Sequence, residues 1–388
     1  MAEEGVGRAL VIGGGLGGLT LAHALAGAGI DVRVHEADDG GGDRSQGFRI
    51  GLGSPALEVL RAVLPSRLHR LVELTSGSLT GPGLVFDEQL NVMSGDLEGP
   101  PADSRAMDRQ VLRRILLGGL GDRVAQGRKL VDLTETADGV TARFGDGSEA
   151  SGSVLIGADG SHSAVRRHLL PEMRLVESDL CGAMGRTPTT ERFLRLVPGR
   201  GTMVRGPGMT LMLGRMQFDR EPSEAAAELA PELDMPRRES YVRWVLMVPP
   251  GHPAAAGPGR ADARQLVLDL IEGWHPDLRD LIAASDLSGV GRARVLDRPL
   301  PPFPVGRVTL LGDAAHLTLA SGGNGATTAM QDAFRLCARL VEVDGGRDLR
   351  SALGDYQRDL LDRGNAAVEH SKVALRRFAP AGAGETDR

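Results

Sequence analysis

The chain is poor in several residues that would have pointed to particular chemistries. Of its 388 residues two are cysteine, Cys181 and Cys337. That is too few for a disulfide framework or a thiolate metal cluster, and both read as buried free thiols. Lys129 and Lys372 are the only lysines, so nearly all the positive charge is arginine. Beside 54 glycines and abundant alanine, this reads as GC-rich coding rather than a phosphate-binding adaptation. The formal net charge of −6 argues against a general nucleic-acid surface. No apolar run is long enough to span a bilayer, and the start, MAEEGVGRALVIGGG, carries no basic leader region. A soluble cytoplasmic protein without membrane partners is expected. The spacings GxxxxGK, GxSxG, HExxH and CxxC are all missing, so neither a phosphate loop, a serine elbow nor a metal site is expected.

What is present begins with a βαβ unit. A short apolar strand, Arg8 to Ile12, runs into Gly13-x-Gly15-x-x-Gly18, then a helix from about Leu19 to Gly27, then a strand from Asp31 to His35 ending at Glu36. Gly13 permits a tight turn, Gly15 lets a pyrophosphate approach the backbone, and Gly18 lets helix and strand pack closely. Gly17 lies in the same loop. Glu36 is placed to accept hydrogen bonds from a ribose. The pattern predicts dinucleotide binding.

A second stretch of the same logic runs from Arg307 to Phe334. Val308 to Leu311 reads as a buried strand, stopping at Gly312-Asp313. A loop of small residues ends in Gly322-Gly323-Asn324-Gly325, and Ala326 to Leu340 reads as a helix. Alone, this is either a cofactor-holding turn at a helix N-terminus or an ordinary βα turn with a capping Asp. Elsewhere Pro55 to Val63 and Asp108 to Leu117 read as helices, Arg128 to Phe144 as two strands, and Val154 to Ile156 as a strand entering Asp159-Gly160. From Leu180 the texture changes. Phe193 to Val197, Gly201 to Arg205, Thr210 to Met216 and Tyr241 to Val248 read as strands of a mostly antiparallel sheet, together with short runs between Ser76 and Pro101. Gly251 to Arg260 reads as a connector. Ala263 to Ala284 is helical with a break near His275-Pro276, and a long helix covers about Leu353 to Phe378.

Three blocks now stand together: GGGLGG with Glu36, LIGADGSHSAVRR at Leu155 to Arg167, and LLGDAAH at Leu310 to His316. Together they resemble the FAD-dependent monooxygenases of the para-hydroxybenzoate hydroxylase type, the single-component flavoprotein hydroxylases. The resemblance runs from Arg8 to about Phe378 and includes Arg109 in its D-R-x-x-L helix and the Gly273 to Pro276 segment. It implies an α/β fold: a Rossmann-like FAD-binding domain of the GR2 type, an inserted and mostly antiparallel substrate domain, and a C-terminal helix. The implied division is residues 1–75, 102–178 and 290–350 for FAD, 76–101 and 179–289 for substrate, 351–378 for the helix and 379–388 for a flexible tail.

The resemblance also implies roles. Gly13, Gly15, Gly17 and Gly18 approach the FAD pyrophosphate, Glu36 holds the adenosine ribose, and Arg109 lies along the cofactor. Asp159 and Gly160 serve FAD and NAD(P)H, or Asp159 merely forms a turn. Arg166 is either a partner of that loop or a nicotinamide contact. Asp313 bonds the ribityl or pyrophosphate side, and the amides of Gly325 and Ala326, after Gly323, face the flavin pyrimidine edge. Arg44 and Arg49 lie between flavin and reductant, or are surface arginines on a Gly-rich loop. His316 is read as a packing residue, not a catalytic base. No side chain is assigned as catalytic. Substrate contacts are expected from the second sheet, notably Met203, Met212 and Trp244.

The implied reaction uses NAD(P)H to reduce FAD and O2 to oxygenate an electron-rich small molecule, in a monomer or homodimer. Two departures bear on it. Leu317 to Ser321 reads LTLAS where the family usually has a proline, and Asn324 stands where glutamine is frequent. Aromatics are 3% of the chain, with two Trp and two Tyr, which favours an aliphatic, Met-containing pocket and a bulky aromatic, alicyclic or polyketide-type substrate. The alternatives are a flavin oxidase or dehydrogenase without oxygen insertion, and a protein that keeps FAD merely to sequester a ligand.

Overall fold

A computed structural model describes residues 5–39, 47–95, 103–248, 263–319 and 323–378. Arg44, the connector at 251–260, residues 320–322 of the proline-free loop and the tail at 379–388 lie outside the described residues.

In chain order the elements begin with β1 (Ala9–Ile12), α1 (Leu16–Gly27), β2 (Val32–His35), β3 (Arg49–Leu52), α2 (Ser54–Val63) and α3 (Ser66–Leu74). Then come β4 (Gly77–Ser78), β5 (Gly83–Asp87), β6 (Val92–Ser94), β7 (Arg105–Asp108) and α4 (Arg109–Leu117). They continue with β8 (Val124–Ala125), β9 (Leu130–Glu135), β10 (Val140–Phe144), β11 (Glu149–Gly152), β12 (Val154–Gly157), α5 (Ala164–Leu169) and β13 (Leu175–Pro188). The second half holds α6 (Glu191–Leu194), β14 (Gly201–Gly206), β15 (Met209–Met216), α7 (Pro222–Leu229), β16 (Tyr241–Val248), α8 (Ala263–Leu270) and α9 (Pro276–Ala283). The chain closes with β17 (Asp286–Leu296), β18 (Val308–Leu310), α10 (Gly325–Asp344) and α11 (Leu349–Phe378).

The first sheet is parallel, in the order β18-β12-β1-β2-β8. Its strands are covered on both faces, which is why β1 reads as an unbroken apolar run, Ala9 to Ile12, all buried. α1 is apolar around its whole circumference and is buried from Leu16 to Leu25. It packs against α10, and Gly17 in its first turn lies against Ala329 near the start of α10.

The second sheet runs β17-β13-β16-β15-β14-β5-β6, antiparallel except for the β14–β5 pair. Its two faces differ. One presents Val204, Leu211, Leu213, Val242, Trp244 and Leu246 to α8, α9 and Trp274, and forms a core of its own. The other presents Met203, Met212, Arg243 and Val245, with Tyr241 at the end. A small antiparallel sheet, β3-β7-β4, joins the halves, and Leu79, Ala106, Met216 and Tyr241 pack at that seam.

Phe193 to Val197 does not form the expected strand. Thr190 caps a helical turn there, its hydroxyl accepting from the Phe193 N–H at 3.2 Å, and Glu191 sits in the first turn. That local start signal outweighs the β-forming Phe and Val. Several elements have no counterpart in the sequence reading, among them α3, α5, β8, β11 and the 14-residue β13, which pairs with both β16 and β17.

Candidate cofactor and substrate site

The turn after β1 is built so tightly that only glycine fits two of its positions. Gly13 has φ +110°, and a Cβ there would stand 2.3 Å from the Ala158 carbonyl oxygen. A Cβ on Gly18 would stand 2.1 Å from the Gly13 oxygen. Gly17 serves packing instead: its Cβ would meet Leu311 Cδ1 at 2.8 Å and Ala329 at 3.2 Å. Gly15 is different in kind. Its φ of −79° suits any residue, and a Cβ there would meet nothing within 4 Å. The fold does not require glycine at 15, and the open space above it fits a ligand that approaches the backbone. Gly15 is also the N-cap of α1, with no side chain satisfying the first amides. That leaves an anion-attracting helix end.

Beside it, the buried Glu36 carboxylate accepts from the Gly14 N–H at 2.7 Å and the Asp38 N–H at 3.0 Å. Arg113, which the motif reading did not single out, bonds the Gly14 carbonyl at 2.9 Å and lies 3.5 Å from Glu36. Its position in an unremarkable amphipathic helix carries no local signal.

The third block supplies the other half of the cradle. Gly312 has φ +58° and turns the chain out of β18. Asp313 follows, and its carboxylate accepts no hydrogen bond among the described residues. Burial raises its pKa, against the opposing pull of Arg109, His316 and Arg166. A Cβ on Gly325 would lie 3.9 Å from Asp313 Oδ1 and 2.5 Å from Thr318 Oγ1. The first turn of α10, Gly325 and Ala326, therefore stands beside Asp313. Its N-cap, Asn324, makes no capping bond, and the Asn324 Oδ1 is buried without a partner. Gly323 has φ +63° with open space around it. An unsatisfied carboxylate, two uncapped helix N-termini packed side by side and a ribose-type acceptor at Glu36 suit FAD: phosphate at α1, hydroxyls at Asp313 and Glu36, an electron-rich ring at α10. Arg109 is held close by its own N–H, which donates to the Phe48 carbonyl at 2.8 Å.

The middle block is turned inward. The Asp159 carboxylate accepts from Ser163 Oγ at 2.5 Å and the Ala164 N–H at 2.7 Å, so it caps α5. Burial raises its pKa, with those bonds opposing. Gly160, φ +72°, completes the turn. Arg166 is the structural partner of this loop: it donates to the carbonyls of Ser161 at 2.5 Å and Ala314 at 2.9 Å, tying the second block to the third.

His316 does pack, but through an ion pair that the sequence reading missed. Its Nε2 lies 2.5 Å from Asp332 Oδ2, which also accepts from the Gly312 N–H at 3.0 Å. Arg363 of α11 binds Asp332 Oδ1 with Nε at 2.9 Å and Nη2 at 2.7 Å. Asp332 is wholly buried.

Two expected contacts are corrected. Trp244 does not face the cofactor half. It is wholly buried on the opposite face of the second sheet, with its ring against Gly185 and among the α8–α9 side chains. Period-two alternation puts Trp244 and Arg243 on opposite faces. Trp244→Ala should therefore cost about 3–5 kcal/mol of stability, a core truncation. Urea unfolding should show a lower midpoint, while the flavin content of the folded protein stays as in wild type. Arg49 is not on the Gly-rich loop. It lies on β3, paired with β7, and its Nη1 reaches to 2.7 Å from where a Gly214 Cβ would be, on the second sheet. Met203 is buried and Met212 half-buried, facing each other across β14 and β15 on the face that looks toward β3.

Among the described residues no helix is long and apolar enough to cross a membrane. Cys181 and Cys337 are both buried and free, and burial pushes the Cys337 thiol up to about 11.

A sequence model of an FAD binding domain matches residues 8–371. The chain is 30% identical over 410 residues to the dual O-methyltransferase/FAD-dependent monooxygenase of Cercospora beticola, covering 95% of this chain and 46% of that protein. It thus spans less than half the length of the first curated relatives it matches. It is 30% identical over 375 residues to an FAD-dependent urate hydroxylase of Klebsiella pneumoniae, covering 92% of this chain and 86% of the relative. The solved structure of Klebsiella pneumoniae HpxO with FAD and uric acid superposes with a TM-score of 0.78 at 27% identity, covering 97% of this chain and 90% of that one.

Proposed function

The chain belongs to the FAD-binding monooxygenase superfamily, and from that premise we propose that it oxygenates a bulky small molecule with O2, drawing electrons from NAD(P)H. Bound FAD would supply the redox chemistry, taking up the reductant's electron pair and passing it to O2. The protein's share is position, charge and exclusion of water. The α1 end and Gly15 receive the pyrophosphate. Glu36 would accept from hydroxyls of the adenosine ribose, and Asp313 would bond the ribityl or pyrophosphate side. The α10 end favours negative charge on the ring, which grows when the ring is reduced.

The observation that carries the reading is the pair of surfaces meeting at β3. The cofactor cradle reaches one side of it through Arg109 and Phe48. The methionine-bearing face of the second sheet meets the other through Arg49 over Gly214. Met184, Met203, Met212 and Val245 share one row of that face. Flexible thioethers fit an irregular apolar body better than a stacked ring. That favours an aromatic or polyketide-type natural product over a simple phenol, and the names of the urate hydroxylase and the dual-function relative fit oxygen insertion.

The test is turnover with NAD(P)H under isotopically labelled O2. One labelled oxygen atom should appear in the product for each NAD(P)H consumed. An unlabelled, merely oxidised product formed with one peroxide per product and no NAD(P)H consumed would make the protein an oxidase on this scaffold and sink the proposal.

A further inference from the structure

The second sheet carries a charge arrangement that packing does not explain. Arg186 and Arg243 stand directly opposite each other on β13 and β16, and Gly214 stands opposite Arg243 on β15. Like charges directly opposite on one face destabilise a strand pair. A third arginine, Arg49, reaches the same spot from β3. Its Nη1 lies 2.7 Å, and Arg243 Nη2 3.6 Å, from the point where a Gly214 Cβ would stand.

Arg186 is accounted for. Asp286 lies 3.5 Å from it, and its guanidinium sits 4.7 Å above the centre of the Phe48 ring. Arg49 and Arg243 are not. Among the described residues neither side chain makes a hydrogen bond or an ion pair, and the Nε of each is buried without a partner. The nearby acid is already committed: Asp108 takes the Tyr241 hydroxyl at 2.8 Å on one oxygen and caps α4 with the other. Burial, then the neighbouring Arg243, pushes Arg49 down to about 9, and burial acts on Arg243 in the same direction. A buried cation is costly unless an anion meets it.

We propose that Arg49 and Arg243, converging above Gly214, bind an oxyanion carried by the substrate, either a carboxylate or an ionised enol or phenol. This rests on the monooxygenase reading and names the substrate class within it. Two guanidinium forks suit a planar, delocalised anion. The missing Cβ at Gly214 leaves room for the Arg49 guanidinium to come up beside Arg243. Arg243 and Gly214 are followed on the same face by Val245 and Met212, so the anion would lie at one end and the apolar body across the methionines.

The probes are naphthoate and its methyl ester, titrated into the FAD-loaded protein and read by the flavin difference spectrum. The acid should bind wild type at least about tenfold more tightly than the ester, as expected for hydrogen bonds to a charged group. Arg243→Gln should lose that preference, and Arg243→Lys should keep part of it. In Gly214→Ala the methyl would displace the flexible Arg49 tip, which should weaken the acid and leave the ester unchanged. Equal or absent binding of the acid by wild type, or a full preference in Arg243→Gln, overturns the proposal. A wild-type protein that retains no FAD fails the functional reading instead, so the two failures are distinguishable.

Discussion

Gly13→Ala and Gly18→Ala should each be purified with little or no flavin, while Gly15→Ala should fold as the wild type does and lose only affinity for the cofactor. The three substitutions add the same methyl group within six residues, so the contrast isolates what each glycine does. At Gly13 the backbone has φ +110°, where a side chain costs roughly 1–3 kcal/mol. The new Cβ would also press on the Ala158 carbonyl, backbone of the second block. At Gly18 the obstacle is the Gly13 carbonyl, so α1 would have to move off the turn that supports its N-terminus. Neither obstacle is the end of a flexible chain that could swing aside. At Gly13 about 2 kcal/mol of strain, the middle of that range, means roughly a 30-fold weaker site. At Gly15 the methyl projects into open space from an extended backbone, so unfolding should be unchanged. The flavin-to-protein absorbance ratio, with urea unfolding of the cofactor-stripped proteins, checks both halves. Unchanged flavin affinity in Gly15→Ala would mean that the pyrophosphate does not lie there.

These glycines were legible because their constraint is local: strand, turn and helix lie within a few residues, and the spacing itself reports the geometry. The same holds for Asp313 and the start of α10. What the sequence hid was long-range. Alternation along β16 says that Trp244 and Arg243 lie on opposite faces, but not which face looks toward the cofactor. That depends on α8 and α9 covering one of them, a fact decided some 20 to 40 residues downstream. Arg49 and Arg243 are almost 200 residues apart and become a pair only when β3 crosses the second sheet. Asp332 left a fainter trace. It shares a buried stripe of α10 with Thr328 and Leu336, and an acid within an apolar stripe asks for a buried partner. Finding His316 and Arg363 as those partners required the packing of α11.

A loss of stability as large as that of Trp244→Ala should come from that same acid. Asp332→Asn should cost about 3–5 kcal/mol, the usual penalty for removing one member of a buried ion pair and leaving its partner charged. Arg363 would now face an amide in place of a carboxylate, so most of the loss should persist across the pH range. The rest depends on His316. Burial opposes its protonation, but Asp332 beside it raises its pKa above the ordinary value of 6.5. Burial likewise favours the neutral form of Asp332, yet His316 and Arg363 hold its carboxyl below the ordinary 3.8. A raised histidine stabilises the fold below about pH 6.5, and that contribution fades as pH rises through its folded value. A depressed carboxyl stabilises above about pH 4, and that contribution fades as pH falls through its folded value. The wild-type protein should therefore exceed the variant most between these limits, with the gap narrowing on either side. Urea midpoints of both proteins from about pH 2 to 9 in saturating FAD would show it. A gap independent of pH would mean that the His316–Asp332 pair is not charged in the folded protein. The consequence reaches the site, because Asp332 also accepts from the Gly312 N–H, and Gly312 sets the turn that presents Asp313. The amide oxygen of an asparagine can still accept there, so Asp332→Asn should keep more flavin than Asp332→Ala, and that order separates the tether from the charge.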